Sequence, residues 1–333
     1  MTKRILVLGA TGAMGKYLVP RLAEMGFEVD AYSLDDAESN YPNVHYYKAN
    51  VKELDVFREI CARHYDGMVD FMIYSTPELI QFLPVAMANT GHYIYLSSYR
   101  AYSGKEVPVK ETSPKFCDIL DDRELHDSED YSVYKGRGEH LVRSLPYMNW
   151  TIVRPAITYS LMRYQLVTLE AANTVGRAFA GKMVVLPAEA FAVQATMSWA
   201  GNVAEMIARL LFNEKAICED FSVCTAEHRT WGEIAEYYRE ICGLKSIWVS
   251  AEDYLDCIAP KDAAWRKGAR WQLIYDRLLP RIMDNSKVLA ATGLRQEDMM
   301  PLCKGLEHEI SRCPKDFPFP PNPLMDEYIA RIQ

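Results

Sequence analysis

The opening segment constrains the fold most. Ile5-Leu6-Val7-Leu8 is a continuous apolar run, as a parallel strand buried on both faces requires, and Gly9-Ala10-Thr11-Gly12-Ala13-Met14-Gly15 follows it at once. From Lys16 to Met25 the apolar residues Leu18, Val19 and Leu22 keep helical spacing, and Gly26 stands where a helix stop belongs. Glycines at 9, 12 and 15 let a backbone turn tightly, approach a pyrophosphate and pack a helix close to a strand, with the helix N-terminus facing the phosphates. The same glycines would also serve a plain tight turn. The flanking strand and helix favour a dinucleotide.

The second strand is expected at Glu28-Val29-Asp30-Ala31-Tyr32-Ser33. A 2′-phosphate after it would need Arg or Lys, whereas a free ribose prefers an acid. No Lys or Arg occurs from Phe27 to Tyr47, and Asp35 and Asp36 follow the strand end, so the pattern favours NAD over NADP. The alternative is that both acids are solvated loop residues. Asp30, in a strand that should be covered on both sides, has no sequence-level explanation.

Further strands are expected at Val44–Tyr47, Asp70–Tyr74, His92–Leu96, Trp150–Val153 and near Phe221–Val223, with helical patterns between them. Alternating strands and helices imply an α/β chain with a Rossmann-type, doubly wound parallel sheet and ligands at the carboxyl ends of its strands. After about Ala226 the chain reads as a smaller, mostly helical C-terminal substrate domain. Thr230 is a candidate cap before Trp231-Gly232-Glu233-Ile234, and Phe317–Pro323 is a proline-rich, extended close.

Composition excludes several classes. The 333 residues are 49% hydrophobic, and 37 Lys and Arg against 45 Asp and Glu leave a net charge of −8, the wrong sign for a phosphate-backbone grip; no nucleic-acid partner is expected. The eight cysteines form no Cys-x2-Cys pair, so no metal site is expected and they are read as free thiols, mostly packing. Neither a secretory signal nor a long apolar run occurs, giving the expectation of a soluble, cytoplasmic protein without a membrane partner.

Tyr131-x3-Lys135 puts a phenol and an ammonium on one helix face about a turn apart, and a neighbouring ammonium favours the phenolate. The pair is common on helices and carries weight only in company. Here the order is a glycine turn, a strand ending in Leu96-Ser97-Ser98 with Ala101-Tyr102 after it, Tyr131-x3-Lys135-x3-Glu139, then Arg154-Pro155. This resembles the extended short-chain dehydrogenase/reductases, and more narrowly the NAD-dependent epimerase/dehydratase family, over roughly Met1 to Cys224.

The resemblance implies catalytic Ser98, Tyr131 and Lys135, with Ser98 and Tyr131 on the reacting oxygen and Lys135 holding the nicotinamide ribose. It implies a cofactor site of Gly9, Thr11, Gly12, Ala13, Met14, Gly15, Ser33, Asp35, Asn50, Val51, Ser75, Thr76, Tyr131, Lys135, Pro155 and Ile157, and substrate contacts from Ser98, Tyr99 and Arg100. Asn50 stands where the family usually has Asp beside the adenine, and its carbonyl still accepts a hydrogen bond. Ile157 replaces an Asn that binds nucleotide sugars in relatives, and Tyr99 and Arg100 replace the Asp-Glu pair of sugar dehydratases. Ser198-Trp199-Ala200-Gly201-Asn202 departs from a His-containing family segment, with Asn202 expected to cap the following helix.

The implied function is an NAD-dependent oxidoreductase or epimerase acting on a secondary alcohol or ketone, with a nucleotide sugar among the candidate small-molecule substrates. Alternatives are an NAD(P)-dependent reductase of a non-sugar ketone or aldehyde, and a non-catalytic dinucleotide-binding or RNA-associated protein. The expected domains are 1–160 with 194–225 for NAD, and 161–193 with 226–333 for substrate. Relatives imply a homodimer through Leu79–Asn89 and Ser132–Ser144. The seven acids between Asp118 and Asp130 read either as a solvated loop or as a negative rim of the site.

Overall fold

A computed structural model describes residues 2–119 and 121–333. Strand β1 (Arg4–Leu8) lies inside a seven-stranded sheet, paired in parallel with β2 (Glu28–Ser33) on one side and β4 (Tyr65–Asp70) on the other. Beyond β2 comes β3 (Val44–Lys48); beyond β4 come β5 (Thr90–Leu96), β6 (Trp150–Arg154) and a last strand at Glu219–Ser222, all parallel. The chain therefore winds outward from β1 in one direction, returns, and winds out in the other. That reversal places a crevice at the carboxyl ends of β1 and β4, where such sheets hold ligands.

Both faces of the sheet are covered, which explains the continuous apolar runs of its strands. On one face, Leu18, Val19 and Leu22 of helix Gly15–Glu24 pack with Val203, Met206 and Ile207 of helix Ala200–Leu210. On the other, Phe57 of helix Leu54–Cys61 and Phe82 and Leu83 of helix Thr76–Ala88 meet Tyr93, Tyr95 and Ile152. A third core around Tyr159, Tyr164, Trp231, Tyr238 and Tyr254 builds the C-terminal part, where Val184–Pro187 pairs in parallel with Ser246–Val249. Val288 and Met299 return to the sheet face beside helix Ala200–Leu210. Among the described residues, no helix is long and apolar enough to cross a membrane.

The structure supplies the missing account of Asp30. Its carboxylate accepts hydrogen bonds from Arg4 at 2.5 Å and from the Tyr65 hydroxyl at 2.8 Å, so a strand acid survives burial by pairing with groups on β1 and β4. Thr230 caps helix Trp231–Cys242 reciprocally with Glu233, as expected.

Three expectations are corrected. The fourth strand is Tyr65–Asp70, not Asp70–Tyr74: the buried Asp70 carboxylate accepts the Met72 N–H at 2.9 Å and the Tyr93 hydroxyl at 3.1 Å, turning the chain out of the sheet. The true strand hides in the sequence behind Gly67, where a Cβ would lie 2.8 Å from the Phe212 ring. Asn202 does not cap its helix, which starts at Ala200; its amide instead clamps Met300, donating to the carbonyl at 3.3 Å and accepting from the N–H at 3.1 Å. The strand expected near Phe221–Val223 begins at Glu219.

Candidate active site

The crevice at the strand ends is a cleft of about 490 Å³. Its first half is made by backbone. Gly9 has φ +72°, and a Cβ on Gly15 would collide with the carbonyl of Ala10, so side chains are barred at both positions by the turn itself. The N–H groups of Thr11 and Ala13 have no partner among the described residues, and helix Gly15–Glu24 carries no acid in its first turn. Such a concavity attracts an anion.

Gly9, Thr11, Gly12, Ala13, Met14 and Gly15 line this half together with Ser33, Asp35, Asn50 and Val51. Asp35 accepts the Thr11 hydroxyl at 2.7 Å, which fixes its carboxylate at the rim. Asp36 turns away to Lys48 at 2.6 Å, a cation one residue beyond the stretch free of Lys and Arg. Asn50 spends its carbonyl on the Lys52 N–H at 3.2 Å and its amide on Glu53 at 3.0 Å. Leu34 and Ile73 line the cleft with 65% and 55% exposure, an apolar rim beside Phe71 and Met72. Sequence reasoning missed these four; their one signal is that they follow the ends of β2 and β4.

Ser75 and Thr76 fall outside the cleft lining. Ser75 caps helix Thr76–Ala88 reciprocally with Glu78, and the Thr76 N–H donates to Glu129 at 2.8 Å. Both positions serve the helix start, a role for which Ser and Thr are as well suited as for ligand contact.

The second half begins where β5 ends. Ser98, Tyr99, Arg100, Tyr131, Pro155 and Ile157 all face the cleft. Ser98 starts the short turn Tyr99–Ala101, its oxygen accepting the Arg100 N–H at 3.2 Å with its proton left to donate. Tyr131 opens helix Tyr131–Ser144, capped by Asp130. Lys135 does not line the cleft: its buried ammonium donates to the Leu96 carbonyl at 2.7 Å and lies 5.5 Å from the centre of the Tyr131 ring. Tyr99 is buried with its hydroxyl accepting from Arg277 at 2.5 Å, and burial pushes that phenol up.

Glu139 explains why the Tyr helix sits where it does. Fully buried, it accepts Arg154 Nε and Nη2, each at 2.6 Å, and the Ser97 hydroxyl at 2.5 Å. Burial pushes its carboxyl up, but the charge and hydrogen bonds of Arg154, with Lys115 and Ser97, outweigh this and hold it below the usual range. Arg154 also donates to Tyr102 at 2.7 Å and to Asp220 at 2.6 Å. Tyr131, Lys135 and Glu139 thus share one helix face, locked to β5 and β6. Gly138 on the same helix meets the Tyr95 hydroxyl so closely that no Cβ fits.

Arg163, Gln165, Glu170, Gln272 and Arg277 complete the lining and were not foreseen. They come from distant segments whose charges carry no spacing signal. Among the acids of 118–130, Asp122 accepts the Tyr275 hydroxyl at 2.7 Å, Glu124 pairs with Lys267, and Glu129 binds Thr76 and Arg137. None of the described acids of this segment lines the cleft. They tie the Tyr helix, helix Thr76–Ala88 and the C-terminal part together.

No family model matches the chain, and no curated protein matches it. Solved structures do. An epimerase from Methanothermobacter thermautotrophicus is similar at TM-score 0.70 and 14% identity, over 93% of this chain and 91% of that one. A Thermus thermophilus UDP-glucose 4-epimerase in complex with NAD is similar at TM-score 0.64 and 17% identity, over 92% and 98%. A Bacillus cereus UDP-glucuronic acid 4-epimerase, in complex with UDP-glucuronic acid and NAD, is similar at TM-score 0.68 and 14% identity, again over 92% and 98%. The chain has the fold of these epimerases along nearly its whole length.

Proposed function

We propose that the protein is an NAD-dependent epimerase or oxidoreductase acting on a secondary alcohol or its ketone. One observation carries the reading: a glycine-turn cradle with unpartnered N–H groups shares a cleft with Ser98 and Tyr131, and the Lys135 ammonium lies beneath the Tyr131 ring. The cradle fits a pyrophosphate, and Asp35 fits a ribose hydroxyl better than a phosphate. Gly9, Gly12, Gly15, Thr11, Asp35 and Val51 would hold NAD; bound there, NAD supplies a hydride acceptor. The Tyr131 oxygen then takes the hydroxyl proton, Ser98 donates to the oxygen as it becomes a carbonyl, and the Lys135 ammonium places a positive charge 5.5 Å from the centre of the Tyr131 ring. Asp130 and Glu139 fix the helix that presents Tyr131 and Lys135. The NAD bound to the similar structures supports the cofactor, and their nucleotide-sugar substrates support that substrate class here.

The test is NAD binding by calorimetry and NADH absorbance with a panel of alcohols. Tyr131→Phe should leave NAD affinity unchanged and lower turnover by about 10²- to 10⁴-fold. Near-wild-type turnover in that variant would overturn the reading. An epimerase returns the hydride and accumulates no NADH, so product stereochemistry by NMR separates the two activities.

A further inference from the structure

Arg100 has a mostly covered guanidinium that makes no hydrogen bond among the described residues. It follows Ser98 in the turn Tyr99–Ala101, lines the cleft, has a side chain 13% exposed, and lies 5.2 Å from the centre of the Tyr131 ring. Asp130 and Asp276 approach it at 3.6 and 3.4 Å. Yet among the described residues its guanidinium donates to nothing, and its Nε is sealed from solvent. An arginine presents its donors in a fixed planar fork, and burying that fork unused costs free energy.

Arg277 and Arg281 are engaged elsewhere, although Arg281 Nε, 3.5 Å from Asp276, also lacks a hydrogen bond among the described residues. Arg277 donates to the Tyr99 hydroxyl, to the Val167 carbonyl at 2.6 Å and to Asp276; Arg281 donates to the Tyr102 carbonyl at 2.9 Å and the Tyr275 carbonyl at 3.1 Å. Burial lowers Arg281. Arg163 also lines the cleft, and among the described residues no ion pair involves it. Arg100, Arg163, Arg277 and Arg281 thus stand against Asp130, Asp276 and Glu170, a surplus of one positive charge in and beside this half of the cleft, with Asp276, Arg277 and Arg281 buried. The glycine turn in the other half of the cleft would receive the cofactor's phosphates and leave this charge to another anion.

We propose that Arg100 is the substrate's anion anchor: the compound processed here carries a carboxylate or a phosphate within a few bonds of the reacting hydroxyl. The proximity of the guanidinium to the Tyr131 ring sets that distance, since the anion and the reacting oxygen must both be reached from one small region. Arg163 is the second unsatisfied cation available to it. Ile157 offers the same region only hydrocarbon, so charge rather than hydroxyl recognition selects the ligand there. This inference rests on the function proposed above.

The experiment uses the full chain loaded with NAD, so that the glycine turn is filled and cannot capture the probes. D-Glucuronate, D-glucose 6-phosphate and neutral D-glucose are titrated by calorimetry. At least one acid should bind and glucose should bind at least about tenfold more weakly; the two acids separate carboxylate from phosphate recognition. Arg100→Met should weaken the acid by roughly tenfold or more without changing glucose or NAD affinity, and Arg100→Lys should recover part of the loss. Should Arg100→Met fail to fold, Arg163→Met serves the same comparison, with the same preferential loss of the acid. Equal binding of acids and glucose, no binding of either acid to the NAD-loaded chain, or full acid affinity in the folded Met variant overturns the proposal. Failure of NAD itself to bind instead overturns the function on which it rests.

Discussion

The two halves of the cleft are made of different material. From Gly9 to Gly15 the site is backbone: a left-handed residue, a glycine that cannot carry a Cβ and free N–H groups at a helix start. Around Arg100, Arg163, Gln165, Glu170 and Arg277 it is side chain, assembled from segments that the fold alone brings together. A backbone site leaves a mark in sequence because steric exclusion dictates residue type at fixed spacing. A side-chain site leaves none, because any segment reaching the cleft can contribute a charge.

The comparison breaks most severely at Asp276. It is the buried counter-charge to Arg277, with Arg100 and Arg281 at 3.4 and 3.5 Å, so Asp276→Ala should destabilise the fold by about 3–5 kcal/mol in a urea titration. A loss within error of zero would show the substrate half to be held by packing rather than charge.

Asp70, where β4 turns toward the cofactor half, gives the next largest effect. Burial pushes its carboxyl up to about 6, with the Met72 N–H, Tyr93 and Lys135 opposing. A folded pKa above the unfolded one contributes stability that is complete below about pH 4 and lost as pH rises through about 6. Asp70→Asn should therefore be more stable than wild type at pH 8, by about 2–3 kcal/mol, and the gain should vanish at pH 4. Thermal unfolding at the two pH values checks the sign.

Gly15→Ala tests the backbone half directly. The new Cβ meets a carbonyl that cannot rotate away, and about 1–3 kcal/mol of stability should go, with NAD affinity. An alanine variant that binds NAD normally would remove the steric argument for this half.

Cofactor choice is the finest test. NAD should bind about tenfold more tightly than NADP, because Asp35 stands at the rim and Lys48 is engaged by Asp36. Asp36→Ala should free Lys48 and narrow the gap, as paired calorimetric titrations would show.

What was legible follows the same division. The strand, glycine turn and helix at the start could be placed because hydrophobic period and glycine spacing agree, and β2 falls at Glu28–Ser33 as expected. The Tyr131 helix was legible only because Tyr131-x3-Lys135 stands in order after the glycine turn and Ser97-Ser98 and before Arg154-Pro155. By contrast, Phe71 to Tyr74 has strand composition, yet Phe71 to Ile73 line the cleft, since Asp70's bonds to the Met72 N–H and the Tyr93 hydroxyl end β4 early. Asn202 looked like a cap because caps and tertiary clamps use the same amide. Ser75 and Thr76, expected at the cofactor, stand at a helix start outside the cleft lining, since a helix start and a ligand both recruit small hydroxyl residues. Arg163 and Arg277 offered nothing to read until folding placed them in the cleft.

Gly138 limits how this chain can change. Glycine inside a helix costs about 1 kcal/mol relative to alanine, so drift toward better helix formers, or an engineer seeking thermal tolerance, would favour alanine there. The Tyr95 hydroxyl leaves no room for the added methyl. Making space would tilt the helix away from β5, and Tyr131 and Lys135 would move with it. The substitution that most improves the helix in isolation would misplace the groups it carries, so improvement at this position requires a compensating change at Tyr95 in the same step.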